Sequence, residues 1–227
     1  MLRISDLEVS IGGVTVLRGV HLDLPSGIMA GLIGRNGAGK TSLMRSIMGL
    51  LPLRRGSVEF EGVNLAKVPP HRRTRTGIGY MPEDRRLVPE LTVEENVLLP
   101  LWAINGAGSP ARLKTVYAQI PEVAEMAGRK ALQLSGGQQK LVALARALIC
   151  GTKLLLLDEP FEGVAPALAR RISDVIAGLR QEGLSILISE SDLQHSARML
   201  DRVFRIERGE VSEQISDAAA KLQGEHS

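Results

Sequence analysis

The chain of 227 residues has one cysteine, Cys150, so no disulfide framework can form within it, and a reducing compartment suits it. Cys150 falls in an apolar helical run, where a buried thiol is expected rather than a reactive one. Neither charge predominates: 28 basic residues stand against 25 acidic ones, with no basic run. That surplus gives no ground for a nucleic-acid partner, and a well-solvated surface is the simpler reading. No stretch approaches the roughly 18 apolar residues of a membrane span. The opening MLRISDLEVS carries charges where a secretory signal needs an apolar core. If the protein acts at a membrane, other chains must cross it. Internal repeats and low-complexity tracts are also missing.

What is present is ordinary for a soluble globular chain: 44% hydrophobic and 23% charged residues, enough to bury one sizeable core. LRISDLEVS and VTVLRGVHLDL alternate and are separated by Gly12-Gly13, which predicts two strands and a turn. IMAGLIG, 28–34, is an apolar strand that runs into a glycine-rich loop. Leu43, Met44, Ile47 and Met48 then form one helical face, with Gly49 and Pro52 as stop signals. Thr92 and Glu95 form a T-x-x-E capping box for a further helix, which Pro100 and Gly106 are expected to interrupt. Another helix is predicted from Pro110. After Ser135 a helix, the strand KLLLLD, a helix, the strand LSILIS and another helix follow, before a hairpin that turns at Arg208-Gly209. Alternating strands and helices predict a mostly parallel sheet with helices on both faces. The expected division is a core of 1–83 and 135–215, an inserted helical lobe over 84–134, and a polar, fraying tail over 216–227.

GRNGAGKT fits G-x-x-x-x-G-K-[ST] at every fixed position, between a predicted strand and a predicted helix. Such a loop, here Gly34, Arg35, Asn36, Gly37, Ala38, Gly39, Lys40, Thr41 and Ser42, can close backbone N–H groups around phosphate oxygens at a helix N-terminus. Lys40 is expected to reach the β- and γ-phosphates and Thr41 to ligate Mg²⁺. LLLLDEP supplies the matching half: a doubly covered strand ending where ligands sit in such sheets. Asp158 is the expected partner of Mg²⁺. Glu159 is the candidate general base for an attacking water, a role worth about 10²–10⁴ in rate. A kinase on the same loop would more often keep only the aspartate.

LSGGQ begins the helix after the inserted lobe. Ser135 and Gln138 form an S-x-x-Q capping box, which accounts for those two residues but not for Gly136 and Gly137, since glycine weakens a helix. Taken with the phosphate loop and LLLLDEP, LSGGQ resembles the signature of ATP-binding-cassette (ABC) ATPases, and the resemblance spans nearly the whole chain. IGYMPEDRRLVPELTVEENV and DEPFEGVAP look like the ATP-binding subunits of branched-chain amino-acid importers. The resemblance implies an α/β P-loop NTPase fold: a mostly parallel core sheet, an N-terminal antiparallel β subdomain and an inserted helical subdomain. It also implies ATP and Mg²⁺ as ligands, and a head-to-tail dimer with the same or a related cassette. In that dimer Ser135, Gly136, Gly137 and Gln138 contact the partner's nucleotide. Permease subunits, a substrate-binding protein and a peripheral place on the cytoplasmic face of the membrane are implied as well.

Three positions depart from the family's usual pattern. Glu83 stands where most relatives have Gln, and its carboxylate remains an oxygen ligand for Mg²⁺. Ile11 stands where an aromatic residue usually stacks on adenine, which implies weak base discrimination. Ser191 lies ten residues before Asp201, the family's switch-histidine position, and its hydroxyl carries no charge at neutral pH. His195, a turn on, is expected to be a solvent-facing helix residue. The function implied is ATP hydrolysis that drives an importer, of branched-chain or other hydrophobic amino acids by resemblance alone, with urea or other amides open. The other readings are a clamp on ribosomes or DNA and a regulatory subunit without turnover. A single P-loop and an insertion of roughly fifty residues tell against the clamp.

Overall fold

A computed structural model describes residues 1–105 and 109–214. The expectations for Gly106 and for the tail therefore lie outside the described residues.

Two sheets make the frame. β1 (Leu2–Ile11) and β2 (Val14–Leu24) pair as an antiparallel hairpin. Gly12 and Gly13 take φ of 56° and 83° at its turn, a conformation that suits glycine. β4 (Arg55–Phe60) and β5 (Val63–Asn64) complete a four-stranded sheet in the order β2-β1-β4-β5. The larger sheet has the order β10-β9-β3-β8-β7-β6. In it β3 (Met29–Ile33), β6 (Ile78–Met81), β7 (Leu154–Asp158), β8 (Ser185–Glu190) and β9 (Arg202–Glu207) run parallel. β10 (Glu210–Gln214) closes the edge as an antiparallel hairpin with β9.

The leucine run of β7 is apolar throughout because both faces of its sheet are covered. Leu154 and Leu156 belong to one buried cluster, with Leu43, Met44 and Ile47 of α1 (Lys40–Ile47) and the β1–β2 sheet. Leu155 and Leu157 face the other cluster, with α5 (Gly136–Cys150) and α6 (Pro166–Gln181). α2 (Val93–Asn105), α3 (Pro110–Gln119) and α4 (Pro121–Glu125) pack around α5 on that side.

Two expectations are corrected. α2 continues through Pro100 to Asn105. Proline removes one helical hydrogen bond, but Val97 is buried, Leu101 packs on the same core, and the preceding turn is anchored by Asn96. The Asn96 side chain donates to the carbonyls of Val88 (3.0 Å), Leu91 (3.2 Å) and Thr92 (3.0 Å). The helix expected after β8 is a series of turns over 191–199. There Asp192 accepts from the Gln194 N–H (3.0 Å) and Ser196 donates to the carboxylate of Glu190. Such local side-chain bonds compete with helix formation.

The helix behind the phosphate loop is fixed at its far end by a buried cation. Arg73 donates from Nη1 to the carbonyls of Ser46 (3.1 Å) and Ile47 and from Nε to that of Val68 (3.1 Å), a cation at the negative end of α1. Gly49 makes room for it: φ is 73°, and a Cβ there would lie 2.6–2.8 Å from the guanidinium. Gly49→Ala should therefore cost about 2 kcal/mol, from backbone strain and lost capping bonds. Chemical denaturation checks this, and a loss under about 0.5 kcal/mol would contradict it.

Candidate functional site

Parallel registers bring four strand ends to one edge of the large sheet. Ile33 pairs with Glu190 and Asp158 with Ser189, so the segments after β3, β8 and β7 emerge together, and that after β6 emerges beside them. Each strand delivers part of the site.

After β3, the loop Gly34–Gly39 turns into α1. A Cβ on Gly34 would lie 2.3 Å from the Ile206 carbonyl oxygen, and Gly37 and Gly39 have φ of 80° and 117°. These positions need glycine for different reasons, one for space and two for backbone conformation. α1 has no acidic residue in its first turn and no side-chain cap at Gly39, which leaves its N-terminal field directed at the loop. Lys40 is buried, and its ammonium is 2.9 Å from Oε1 of Glu159. It also donates to the carbonyls of Gly34 and Arg35 (3.3 Å). Asn36, Gly37, Lys40, Thr41, Ser42, Val16, Glu83 and Glu159 line a cavity of about 330 Å³.

After β7, Asp158 is fully buried. Its Oδ1 accepts from Ser189 Oγ (2.7 Å) and Thr41 Oγ1 (3.2 Å), and its Oδ2 from Tyr80 OH (3.2 Å). Burial nevertheless holds its carboxyl above the usual range, against those hydrogen bonds and Lys40. A divalent cation would favour the charged form. Among the described residues no cluster of three or more His, Cys, Asp or Glu side chains could hold a metal. The Thr41–Asp158 oxygen pair instead fits Mg²⁺, which keeps waters and phosphate oxygens in its shell.

Glu159 has φ of 49°, a left-handed conformation uncommon for a residue with a side chain. Its N–H donates to Ser189 O (3.2 Å) and Oγ (3.1 Å), and its carbonyl accepts from Lys140 Nζ (3.0 Å). Ser191, after β8, has its Oγ 2.9 Å from Asn36 Oδ1, 3.3 Å from Glu159 Oε1 and 3.5 Å from Lys40 Nζ. One hydroxyl proton serves Asn36 or Glu159, not both at once. His195 is exposed, in a turn and not a helix, with its ring 5.1 Å from that of Phe161. Glu83 is exposed behind Pro82 on the same cavity. Partial burial, then Glu162, Asp158, Glu159 and Asp84, hold its carboxyl above the usual range.

Two groups of sequence-chosen residues lie apart from this cavity. Ile11 is 44% exposed at the end of β1, while Val16 of β2 forms part of the lining. Ser135 caps α5: its Oγ accepts from the Gln138 N–H (3.3 Å) and its own N–H donates to Gln138 Oε1 (3.0 Å). Gly136 lines a different cavity, of about 290 Å³, with Glu83, Arg85 and Lys140. Gly137 has a local packing reason as well, because a Cβ there would lie 2.6 Å from Leu168 Cδ2.

A family model described as ABC transporter matches residues 17–162. The chain is an ABC-family ATP-binding subunit. It is 32% identical over 211 residues to the high-affinity branched-chain amino acid transport ATP-binding protein BraG of Pseudomonas aeruginosa, covering 93% of this chain and 91% of BraG. It is 30% identical to the lipopolysaccharide export system ATP-binding protein LptB of Escherichia coli, over 92% of this chain and 88% of LptB. Among solved structures, the dimeric bacterial cassette MJ0796 has a TM-score of 0.83 at 26% identity, over 94% of this chain and 98% of that one. A second structure of that cassette is a dimer bound to ADP and Pi. The present cassette is accordingly a nucleotide-binding ATPase.

The cassette's site also uses residues that carry no motif signal. Ser189 and Tyr80 hold Asp158 from neighbouring strands, and Lys140 holds the Glu159 turn. Alternation along β8 could have pointed to Ser189, which is two positions before Ser191. Glu190, between them, is buried, and its Oε1 has no hydrogen-bond partner. Burial raises its carboxyl to about 7, helped by Asp192 and Glu159 and opposed by the Ser196 bond. A carboxyl raised in the fold binds its proton more tightly there than in the unfolded chain. Its stabilising effect is complete below the ordinary value of 4.5 and is lost as pH rises through about 7. Glu190→Gln should therefore gain stability relative to the native protein between pH 5 and 8. Thermal melts across that range check it, and a pH-independent difference would contradict it.

Proposed function

We propose that this cassette is the energy-coupling ATPase of a membrane importer for branched-chain or other hydrophobic amino acids. The observation that carries the reading is the gathering of Lys40, Thr41 and Glu159 around one cavity, with the buried Asp158 bonded to Thr41 behind it. The relation to BraG supports the substrate class. The relation to LptB favours a second reading, in which the same motor drives export. Purification with the associated membrane subunits and identification of those chains separates the two.

In this reading Lys40 and the loop N–H groups bind the β- and γ-phosphates. Thr41, Asp158 and Glu83 would hold Mg²⁺, which when bound would supply positive charge against the phosphates. Phosphate oxygens compete with Glu159 for the Lys40 ammonium. The carboxylate is then free to take a proton from the attacking water, with the Ser191 hydroxyl donating to it rather than to Asn36. Because the signature loop lies on a different cavity from its own phosphate loop, Ser135–Gln138 serve a nucleotide held by a second cassette, the same chain or a relative. Closure of that dimer needs ATP to bind the closed form better than the open one.

Docking to a permease is supported by a cavity of about 520 Å³ between α2 and the core. Leu99, Pro100 and Ala103 line one side, Met48, Leu50 and Tyr80 the other, and Glu83 adjoins it. No described helix is long and apolar enough to cross a membrane, which fits a peripheral subunit on the cytoplasmic face. The substrate-binding protein would act through the permease.

Glu159→Gln should leave ATP affinity intact and lower turnover by about 10²–10⁴. Undiminished hydrolysis would remove Glu159 from the role of base. With Val16 and Ile11 in place of an aromatic ring, stacking worth about 1–3 kcal/mol is absent. GTP should therefore support hydrolysis at a rate comparable with ATP, and a strong ATP preference in the same assay would contradict this.

A further inference from the structure

Lys140 is an unusual residue for its place. It lies on α5, five positions after the cap Ser135, and only 4% of it is exposed. Its ammonium donates to two main-chain carbonyls, those of Glu159 (3.0 Å) and Glu162. Among the described residues it makes no ion pair with a carboxylate. Glu162 N–H in turn donates to Glu159 O (3.2 Å), so one cation grips both ends of the turn that follows the base.

Burying an ammonium is costly, and an apolar side chain of similar volume often serves stability as well or better. A stabilising role therefore does not explain the residue. What the lysine supplies is a directional hold on the Glu159 carbonyl, complementary to the hold of Ser189 on its amide. Between them they keep Glu159 in a left-handed conformation that costs roughly 1–2 kcal/mol. The helix that carries Lys140 presents Ser135–Gly137 at its exposed N-terminus. Gly137 sits against Leu168 so closely that a Cβ would lie 2.6 Å away, which couples that terminus to α6.

We propose that Lys140 is a positioning residue that links engagement of the signature loop to the placement of Glu159 in the same chain. Contact of Ser135–Gly137 with the second cassette's nucleotide shifts the start of α5. Lys140 transmits that shift to the turn bearing the base, so that each site is readied when its chain's signature loop is engaged. The inference rests on the shared-site function proposed above.

The test uses the full chain in its assembled complex, with Lys140→Met and Lys140→Gln, each alone and combined with Ser135→Ala. Affinity is read with a fluorescent ATP analogue, turnover by phosphate release and folding by thermal melts. Both variants should bind the analogue within about twofold of the native chain and melt no lower, while kcat falls by about tenfold or more. Adding Ser135→Ala should then cost less than it does in the native chain: its direct contact with the nucleotide is lost in both, but the part routed through Lys140 is already cut. A kcat within about threefold of native in either folded variant overturns the proposal. So does a Ser135→Ala loss that multiplies in full, or a parallel loss of melting temperature and ATP affinity. If the methionine variant does not fold, the glutamine variant decides alone by the same criteria. Failure of the native complex to hydrolyse ATP would instead overturn the function proposed above.

Discussion

The contact on which the site depends is the buried pair of Lys40 and Glu159, 2.9 Å apart. Its members follow β3 and β7, which are not neighbours, since β8 lies between them. They meet because parallel register aligns the strand ends and because Glu159 takes a left-handed backbone angle. A lone charge in this environment would be strongly unfavourable, and the pair with its carbonyl and hydroxyl partners offsets that cost. Phosphate is the ligand best suited to replace one member while keeping the other charge compensated.

β8 is the strand that integrates the site. Ser189 holds both Asp158 and the Glu159 amide, the Glu190 carbonyl receives the Gly34 N–H (3.2 Å), and Ser191 spans Asn36 and Glu159. α5 plays the corresponding part for the loops. Lys140 grips the turn after Glu159, while Arg146 donates to the carbonyls of Arg85 and Arg86 (2.7 Å) in the segment after Glu83. The signature helix therefore touches, through two cations, both segments that flank the cavity at Lys40. These loops are held by side chains rather than by regular ladders.

The fold class and the P-loop motif were legible because contiguous residues encode them. The glycines of 34–39 answer to local backbone demands, and LLLLDE records a strand covered on both faces. Thr92–Glu95 and Ser135–Gln138 were readable as caps for the same reason. The supports of the site were not, because they come from distant elements: Tyr80 reaches Asp158 across 78 positions and Ser189 across 31. Lys140 and Arg73 look like surface cations in the chain and are buried in the fold. The turns over 191–199 were misread as a helix because the bond from Ser196 to Glu190 leaves no trace in periodicity. Pro100 was misread as a break because tertiary packing outweighed one missing hydrogen bond.

The most direct measurement is an experimental structure of the Glu159→Gln chain trapped with Mg²⁺ and ATP, together with the cassette it pairs with. A triphosphate should lie against Lys40, with Ser135–Gly137 of this chain within hydrogen-bonding distance of the terminal phosphate on the other cassette. A trapped complex in which Ser135–Gly137 face solvent, remote from every nucleotide, would contradict the shared site and the motor built on it.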